Sequence, residues 1–455
     1  MYARISPHVF SGTVRVPASK SHTIRRLLMA ALTRGVSEID HPLDSLDARS
    51  CVAVCRALGA DIREYRAAGM QNPNPPDAGG NKLYRWTLRG IDGPLVPSLP
   101  PLDVGNSGTT LFLALAAAAL GSEPVTFTGD EQIRRRGAAP LLEALAGLGV
   151  RVSAAEGGCV PITVQGPWKG GRVSLPCPTS QYLSALLLAA PLAPAGTVTE
   201  IEVPLLNERP YVELTLSYLA AQGVPWEAAE DFSRFRIPGG GFYKPMNGPV
   251  PGDFSSAAFP ACAAAVSGGT VTLLGLEKED PQGDKAFFDM LVRMGCEVVW
   301  ERVSVPPSSA AADTKPPEWR LTVSRKGPLT GGEFDLNATP DLLPVMAVTA
   351  AFAAGQTALV NVAHARIKET DRIAVMAEEL GKRGIKTEEL PGGLIIYGAG
   401  DRPAPLIRGG AADGRGDHRI VMALAAAALG ASAPVEINSA ESAAVTYPGF
   451  LELLA

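Results

Sequence analysis

Apolar and polar positions along this chain repeat one pattern six times. A small polar residue opens an Ala/Leu-rich stretch of helical period, the stretch ends at a small-residue turn, and a β-branched strand follows. The copies begin at Ser21, Ser107, Thr179, Ser255, Pro340 and Asp417, at intervals of roughly 70 to 90 residues. Most continue into a second amphipathic segment closed by Leu-Gly or a near equivalent, as in CRALGADI, LAGLGVRV, LAAQGVPW, LVRMGCEV and LGKRGIKT. The pattern predicts one α/β unit used six times. A helix N-terminus carries unpaired N–H groups and partial positive charge, so several such ends facing one cleft would attract anions.

With 455 residues, the chain is too long for one ordinary core, and two domains of about 200 residues with three repeats each are expected. The Pro/Gly-rich run Pro238–Gly252 is the better boundary, and a second crossing is expected near Val16–Ser19, because the N-terminal strand (Val9 to Val16) precedes the first repeat. The expected division is 1–17 with 250–455 against 18–249, hinged near 16–19 and 238–252, and a hinged body of this kind closes around small charged ligands. Arg66–Lys82 and Val303–Glu318, rich in Pro with Gly, Asn, Ser or Ala, read as surface loops inside repeats.

Composition narrows the function. A net charge of −5 leaves no footprint for nucleic acid or an anionic membrane, so any basic site is local. Residues 1–10 have no sustained apolar run and Leu111–Leu120 is too short to span a bilayer, which points to a cytoplasmic protein. The six cysteines show no metal-ligand spacing and read as reduced, mostly buried thiols.

Charged and hydroxyl residues gather at the repeat junctions. Lys20, Ser21 and Arg25 form a compact anion grip, with Ser21 placed to cap the helix and Arg25 one turn on. Gly105-Asn-Ser-Gly-Thr-Thr110 would let backbone N–H groups approach a ligand. Arg134-Arg-Arg136 precedes a predicted helix, and Thr179-Ser-Gln181-Tyr182 places hydroxyls and an amide at another helix start. In Arg366-Ile-Lys368-Glu369-Thr-Asp371-Arg372, helical spacing would set Lys368 and Arg372 one turn apart with Glu369 beside both. A carboxylate between two cations serves as an ionised base or a poised acid, according to its burial. Asp341 and Asp417-His418-Arg419 stand at two further helix starts.

The segments VPASKSHTIRR, GNSGTT, DPQGD, RIKETDRI and GDHRIVMA, in this order from Val16 to Pro448, closely resemble those of the 5-enolpyruvylshikimate-3-phosphate synthase family of enolpyruvyl transferases. The resemblance implies an α/β fold, a two-domain inside-out α/β barrel built from six repeated βαβαββ-like units. It implies transfer of the enolpyruvyl group of phosphoenolpyruvate to the 5-hydroxyl of shikimate 3-phosphate, with release of phosphate, in the shikimate pathway to aromatic amino acids. No metal or organic cofactor, no nucleic acid and no membrane are implied, and the protein is expected to be a cytoplasmic monomer. By the same resemblance, Lys20, Ser21, Arg25, Thr179, Ser180, Gln181, Tyr211, Asp341, His364 and Lys368 hold shikimate 3-phosphate. Lys20, Asn106, Gly108, Arg136, Gln181, Arg372 and Arg419 hold phosphoenolpyruvate. Asp341 takes the proton of the attacking hydroxyl, Glu369 exchanges a proton with the methylene carbon, and Lys20 completes the catalytic set.

The chain departs from the family pattern at several of these places. Phe112 and Val445 stand where cations are usual, Glu208 where a serine contacts the substrate phosphate, His364 where asparagine is usual, and Gly137 where proline is common. Arg134, Arg135 or Arg209 would be available to compensate. Three readings follow: a divergent synthase, a paralogue of the same fold that binds altered ligands or has lost turnover, and the sister transferase acting on UDP-N-acetylglucosamine. The sister enzyme's lysine-asparagine start is replaced here by Lys20-Ser21, and no cysteine sits in Thr128–Ala139.

Overall fold

Strand, helix, strand, helix and a hairpin succeed one another in each complete repeat. In the second these are Leu102–Asp103, the helix Gly108–Ala118, Val125–Thr128, the helix Ala139–Gly147, and the strands Arg151–Ala155 and Cys159–Gln165. The four strands lie side by side in the order first, second, fourth, third, with the first pair parallel and the others antiparallel. The third and fifth repeats use the same order and the same senses. The sixth sheet has three strands, Gly410–Asp413, Val435–Asn438 and, antiparallel to the latter, Tyr2–Ile5. The computed structural model describes residues 1–68, 81–91, 101–303, 318–400 and 407–455. Most of Arg66–Lys82 and Val303–Glu318 therefore lies outside the described residues, while the strands bordering them pair as antiparallel hairpins.

The first and fourth repeats exchange their opening strands. Gly12–Arg15 leads into the helix Lys20–Ala31 yet runs parallel to Thr270–Leu274 in the fourth repeat's sheet. Asn247–Pro249 leads into the helix Phe254–Ser267 yet runs parallel to Val36–Asp40 in the first repeat's sheet. The chain accordingly forms two compact units, Met1–Ser19 with Pro251–Ala455, and Lys20–Val250.

Each unit has three helices at its centre. In the second unit the Lys20–Ala31 helix touches the Gly108–Ala118 helix, which packs along Ser180–Ala189. In the first, Phe254–Ser267, Leu343–Ala351 and His418–Leu429 all touch one another. Every residue of Gly108–Ala118, Leu343–Ala351 and His418–Leu429 is buried. A helix apolar all round can persist only inside a core, and alanine lets such helices approach closely. Each buried leucine of Gly108–Ala118 contributes about 1.5–3 kcal/mol, and truncating one, as in Leu115→Ala, costs about 2–5 kcal/mol. The sheets bury one face only, as the alternation along Val125–Thr128 and Val198–Glu202 shows.

The ends of the central helices differ in part from expectation. Ser107, Thr179 and Asp417 do cap their helices, accepting from Thr110 N, Gln181 N and Arg419 N. Ser21 lies inside the first turn rather than at the cap. Ser255 is also helical, because Asp253 takes the cap and accepts from Ser255 N and Ser256 N. Pro340 opens a short 3-10 turn, Pro340–Leu342, ahead of its helix.

Candidate active site

In the unit Lys20–Val250, the first turn of Lys20–Ala31 places Lys20 Nζ 3.1 Å from Asp47 Oδ2, both side chains largely buried. One turn on, Arg25 is 2% exposed. Its Nε donates to Thr215 Oγ1 at 2.9 Å, and its terminal nitrogens donate to the carbonyls of Ser21 and Tyr211, each at 3.1 Å, and to Ser184 Oγ at 3.4 Å. All four acceptors are uncharged. Burial lowers the Arg25 pKa to about 10, so it stays a cation at neutral pH.

Arg136 follows a 3-10 turn, Ile133–Arg135, and its guanidinium lies flat against Gly108, where an added Cβ would fall 2.7 Å from Cζ. Glycine at 108 is thus a steric requirement of that approach. Asn106 Nδ2 donates to Gln132 Oε1, and the side-chain oxygens of Asn106 and Gln181 find no hydrogen-bond partner among the described residues. Phe112 is buried edge-on to Tyr182, ring centroids 5.0 Å apart, and Tyr182 donates to the Gly137 carbonyl at 2.6 Å. The aromatic pair therefore packs in the core beneath the segment that carries Arg136. Arg209 is committed elsewhere, to Glu213 at 2.9 Å and to the Phe232 ring. Arg134 donates to the Gly129 carbonyl.

At the Ser180–Ala189 helix start, Glu208 adds a carboxylate to the Thr179 cap. Its Oε2 accepts from Ser180 N at 3.0 Å, Ser180 Oγ at 2.8 Å and Thr179 Oγ1 at 3.1 Å. Tyr211 lies in the first turn of the neighbouring helix Arg209–Gln222 and reaches this group through its backbone.

In the other unit an ion cluster forms around Arg372, whose side chain is wholly buried. Nε donates to Asp417 Oδ2 at 2.8 Å, one terminal nitrogen to Asp341 Oδ1 at 2.8 Å, and the other to Glu369 Oε2 at 2.6 Å and Asp417 Oδ1 at 3.1 Å. The second Asp341 oxygen pairs with Arg419 at 2.8 Å. The three carboxylates raise the Arg372 pKa further despite its burial. Burial by itself pushes the Asp341 carboxyl up, but Arg419, Lys368 and Arg372 outweigh it and hold it well below the usual carboxylate range. Asp417 is likewise pushed up by burial and brought lower overall by Arg372.

The helical spacing expected for Lys368, Glu369 and Arg372 is not adopted. Lys368 is non-helical at the end of a 3-10 turn, Ala363–Ile367, and the helix Arg372–Lys382 begins only after Asp371, whose side chain caps it by accepting from Ala374 N. The break turns Glu369 and Arg372 toward Asp341 and Asp417 instead of leaving them on an exposed ladder. His364 is buried, its Nε2 3.1 Å from the Asn337 carbonyl.

Sequence reasoning gave Asp417 a helix start but no ion partner, and gave Asp47 and Thr215 no role. Asp417 reads as a plain N-cap, and that cap hid its second partner, Arg372. Asp47 and Thr215 sit on second helices, where nothing local marks them.

Comparison with known proteins follows the same lines. The family described as EPSP synthase (3-phosphoshikimate 1-carboxyvinyltransferase) matches residues 6–454. A 3-phosphoshikimate 1-carboxyvinyltransferase of Acetivibrio thermocellus is 44% identical, covering 100% of this chain and 97% of its own length. One of Halobacterium salinarum is 39% identical over 100% and 98%. A solved EPSP synthase from Acinetobacter baumannii superposes with a TM-score of 0.76 at 27% identity, covering 99% and 97% of the two chains. The enolpyruvyl transferase NikO from Streptomyces tendae, at 19% identity and a TM-score of 0.73, shares the fold.

Proposed function

Because the chain belongs to the EPSP synthase (3-phosphoshikimate 1-carboxyvinyltransferase) family, we propose how its own residues divide that reaction. The enzyme transfers the enolpyruvyl group of phosphoenolpyruvate to the 5-hydroxyl of shikimate 3-phosphate and releases phosphate. Relatives of that name along the whole chain favour this activity over transfer to a sugar nucleotide.

In addition, the methylene carbon of phosphoenolpyruvate gains a proton, the 5-oxygen bonds to the neighbouring carbon, and the hydroxyl proton leaves to a base. In elimination, the bond to phosphate breaks and the new methyl group gives up a proton. We assign Asp341 as the base for the hydroxyl, Glu369 as the group that exchanges the carbon-bound proton, and Lys20 as the third member of the catalytic set. Arg372, Arg419, Arg136, Asn106, Gly108, Gln181 and Lys20 are assigned to phosphoenolpyruvate. Lys20, Ser21, Arg25, Thr179, Ser180, Gln181, Tyr211, Asp341, His364 and Lys368 are assigned to shikimate 3-phosphate.

One observation carries this assignment: Asp341 is shared, one oxygen each, by Arg372 and Arg419. Held so low, its carboxylate is a poor base. A phosphoenolpyruvate carboxylate bound by the same two arginines draws their charge away from Asp341 and raises its proton affinity when the donor arrives. The test is phosphate release from purified protein given both substrates, beside Asp341→Asn. Release by the natural protein and its loss in the variant support the reading; equal release by both removes Asp341 from it.

The segments 16–19 and 238–252 are the proposed hinge of the two-domain division, and protection of both from proteolysis by shikimate 3-phosphate tests it. Monomeric, cytoplasmic operation belongs to the same proposal. Among the described residues no helix is long and apolar enough to cross a membrane, and sedimentation at working concentrations checks the monomer.

A further inference from the structure

Glu208 is a buried carboxylate with no part in the chemistry above. It is 2% exposed, and its backbone is held at φ 58°, in the left-handed region that non-glycine residues enter only when their surroundings hold them there. Three donors converge on one of its oxygens: the first free N–H of the Ser180–Ala189 helix, the Ser180 hydroxyl and the Thr179 hydroxyl. This is the donor set an anion needs. A second feature points the same way. Ser184, one turn along that helix, and Tyr211, whose N–H donates to the Glu208 carbonyl, both hydrogen bond to Arg25. Arg25 is a buried cation whose own acceptors are all uncharged, so the surroundings of the two helix starts favour negative charge.

We infer that Glu208 is a resident anion, a specificity-determining carboxylate that occupies these donors in the ligand-free protein and must release them to the phosphate of the acceptor substrate. The inference rests on the reading that Thr179, Ser180 and Gln181 hold shikimate 3-phosphate. A carboxylate and a phosphate dianion cannot share the three donors, because two anions at contact repel in a desolvated site. Binding therefore exchanges one anion for another, and the affinity measured is that of the phosphate less that of the internal carboxylate. An acceptor without a phosphate leaves Glu208 in place. The device sets affinity for the phosphorylated acceptor without touching the reacting atoms.

The experiment is calorimetric titration of shikimate 3-phosphate, shikimate and inorganic phosphate into the full-length protein and its Glu208→Ser and Glu208→Gln variants, with the KM of both substrates measured in parallel. Serine removes the competitor. Glutamine keeps the shape and one acceptor oxygen, guarding against misfolding of the smaller variant. Expected are a roughly tenfold lower Kd for shikimate 3-phosphate in Glu208→Ser, equivalent to about 1.4 kcal/mol, and a smaller fall in Glu208→Gln. Inorganic phosphate should follow the same order, while the Kd for shikimate and the KM for phosphoenolpyruvate move less than twofold. If shikimate 3-phosphate binds as before or more weakly in both variants while phosphate release persists, Glu208 only orders the helix end and the inference falls. If none of the three proteins binds shikimate 3-phosphate or releases phosphate, the underlying assignment of the helix end has failed and the inference goes with it.

Discussion

Arg372 and Arg25 are both arginines shut away from water, at 0% and 2% exposure, yet their surroundings are opposite. Arg372 is met by Asp341, Glu369 and Asp417, and Arg419 completes the group. Arg25 is met by two carbonyls and two hydroxyls. The first cluster satisfies its cations internally, so a ligand must exchange partners with groups already paired. The second leaves a charge uncompensated, and a ligand anion supplies what the fold does not. A balanced cluster can tune the basicity of its own carboxylates. An unbalanced one pays a standing desolvation penalty and recovers it on binding.

The largest effect expected from this contrast is on stability. Arg372→Met would remove the buried cation shared by Asp341, Glu369 and Asp417, and breaking a buried pair by removing one partner costs about 3–5 kcal/mol. Arg25→Met leaves only neutral oxygens, and Thr215 Oγ1 keeps its bonds to the Tyr211 carbonyl and Ser184 Oγ. Its cost should be about 1 kcal/mol, while affinity for shikimate 3-phosphate falls at least about tenfold, the loss of one charged contact. Urea unfolding of both variants beside the natural protein checks the pair, and equal losses would erase the distinction.

Within the balanced cluster, Asp341→Asn and Glu369→Gln keep shape and remove charge. Each should lower kcat by at least about 10²-fold, the usual yield of a positioned acid or base, with both substrates still bound. Single-turnover kinetics with calorimetry separates the two quantities. Near-normal turnover in either variant would leave its carboxylate as no more than a partner for Arg372.

The contrast itself was only partly legible in the sequence. The sixfold α/β pattern was, because buried helices must be apolar all round and their starts must be capped, and both rules leave marks within a few residues. Beyond the expected grouping of 1–17 with 250–455, the partners themselves were not: two short strands of unremarkable composition carry no record that Gly12–Arg15 lies beside Thr270–Leu274 or Asn247–Pro249 beside Val36–Asp40, each more than 200 residues away. The segment from Lys368 to Arg372 misled for a local reason: its spacing fits a helix, and only the Asp371 cap, read together with its acceptance from Ala374 N, shows that the helix starts at Arg372. In the sequence, Glu208 stood out only as a carboxylate where the family has a serine. Its place on the very donors a phosphate would use depends on a left-handed backbone that the residue type does not announce.

Val445 offers a finer probe of the balanced side. It is half-buried in the 3-10 segment Ala440–Val445, at a position where the family resemblance implies a cation. If the arginines of this cluster must first be drawn from carboxylates, an added cation with no prior partner should help the donor most. Val445→Lys should lower the KM for phosphoenolpyruvate by about tenfold, or about 1.4 kcal/mol, and leave that for shikimate 3-phosphate within twofold. A KM for phosphoenolpyruvate that stays unchanged in steady-state assays would place Val445 outside the donor's reach.

Acid titration gives the smallest and most selective signal. Asp341 and Asp417 both sit below the usual carboxylate range in the folded protein, whereas in the unfolded chain an aspartate takes up its proton near pH 4. The stabilisation they confer is therefore complete above that value. It is lost as pH falls toward the folded values, by up to about 1.4 kcal/mol per pH unit for each group. Arg372, raised further by its carboxylates, is protonated in both states throughout and adds no slope. Urea unfolding at pH 6, 5, 4 and 3.5 should show stability falling more steeply below pH 4 in the natural protein than in Asp417→Asn, which has lost one of the two groups. Arg25→Met should retain the natural slope, because no carboxylate among the described residues pairs with Arg25. If Asp417→Asn and the natural protein fall in parallel, the arginines do not hold Asp417 in its charged form, and the picture of a cluster balanced from within gives way.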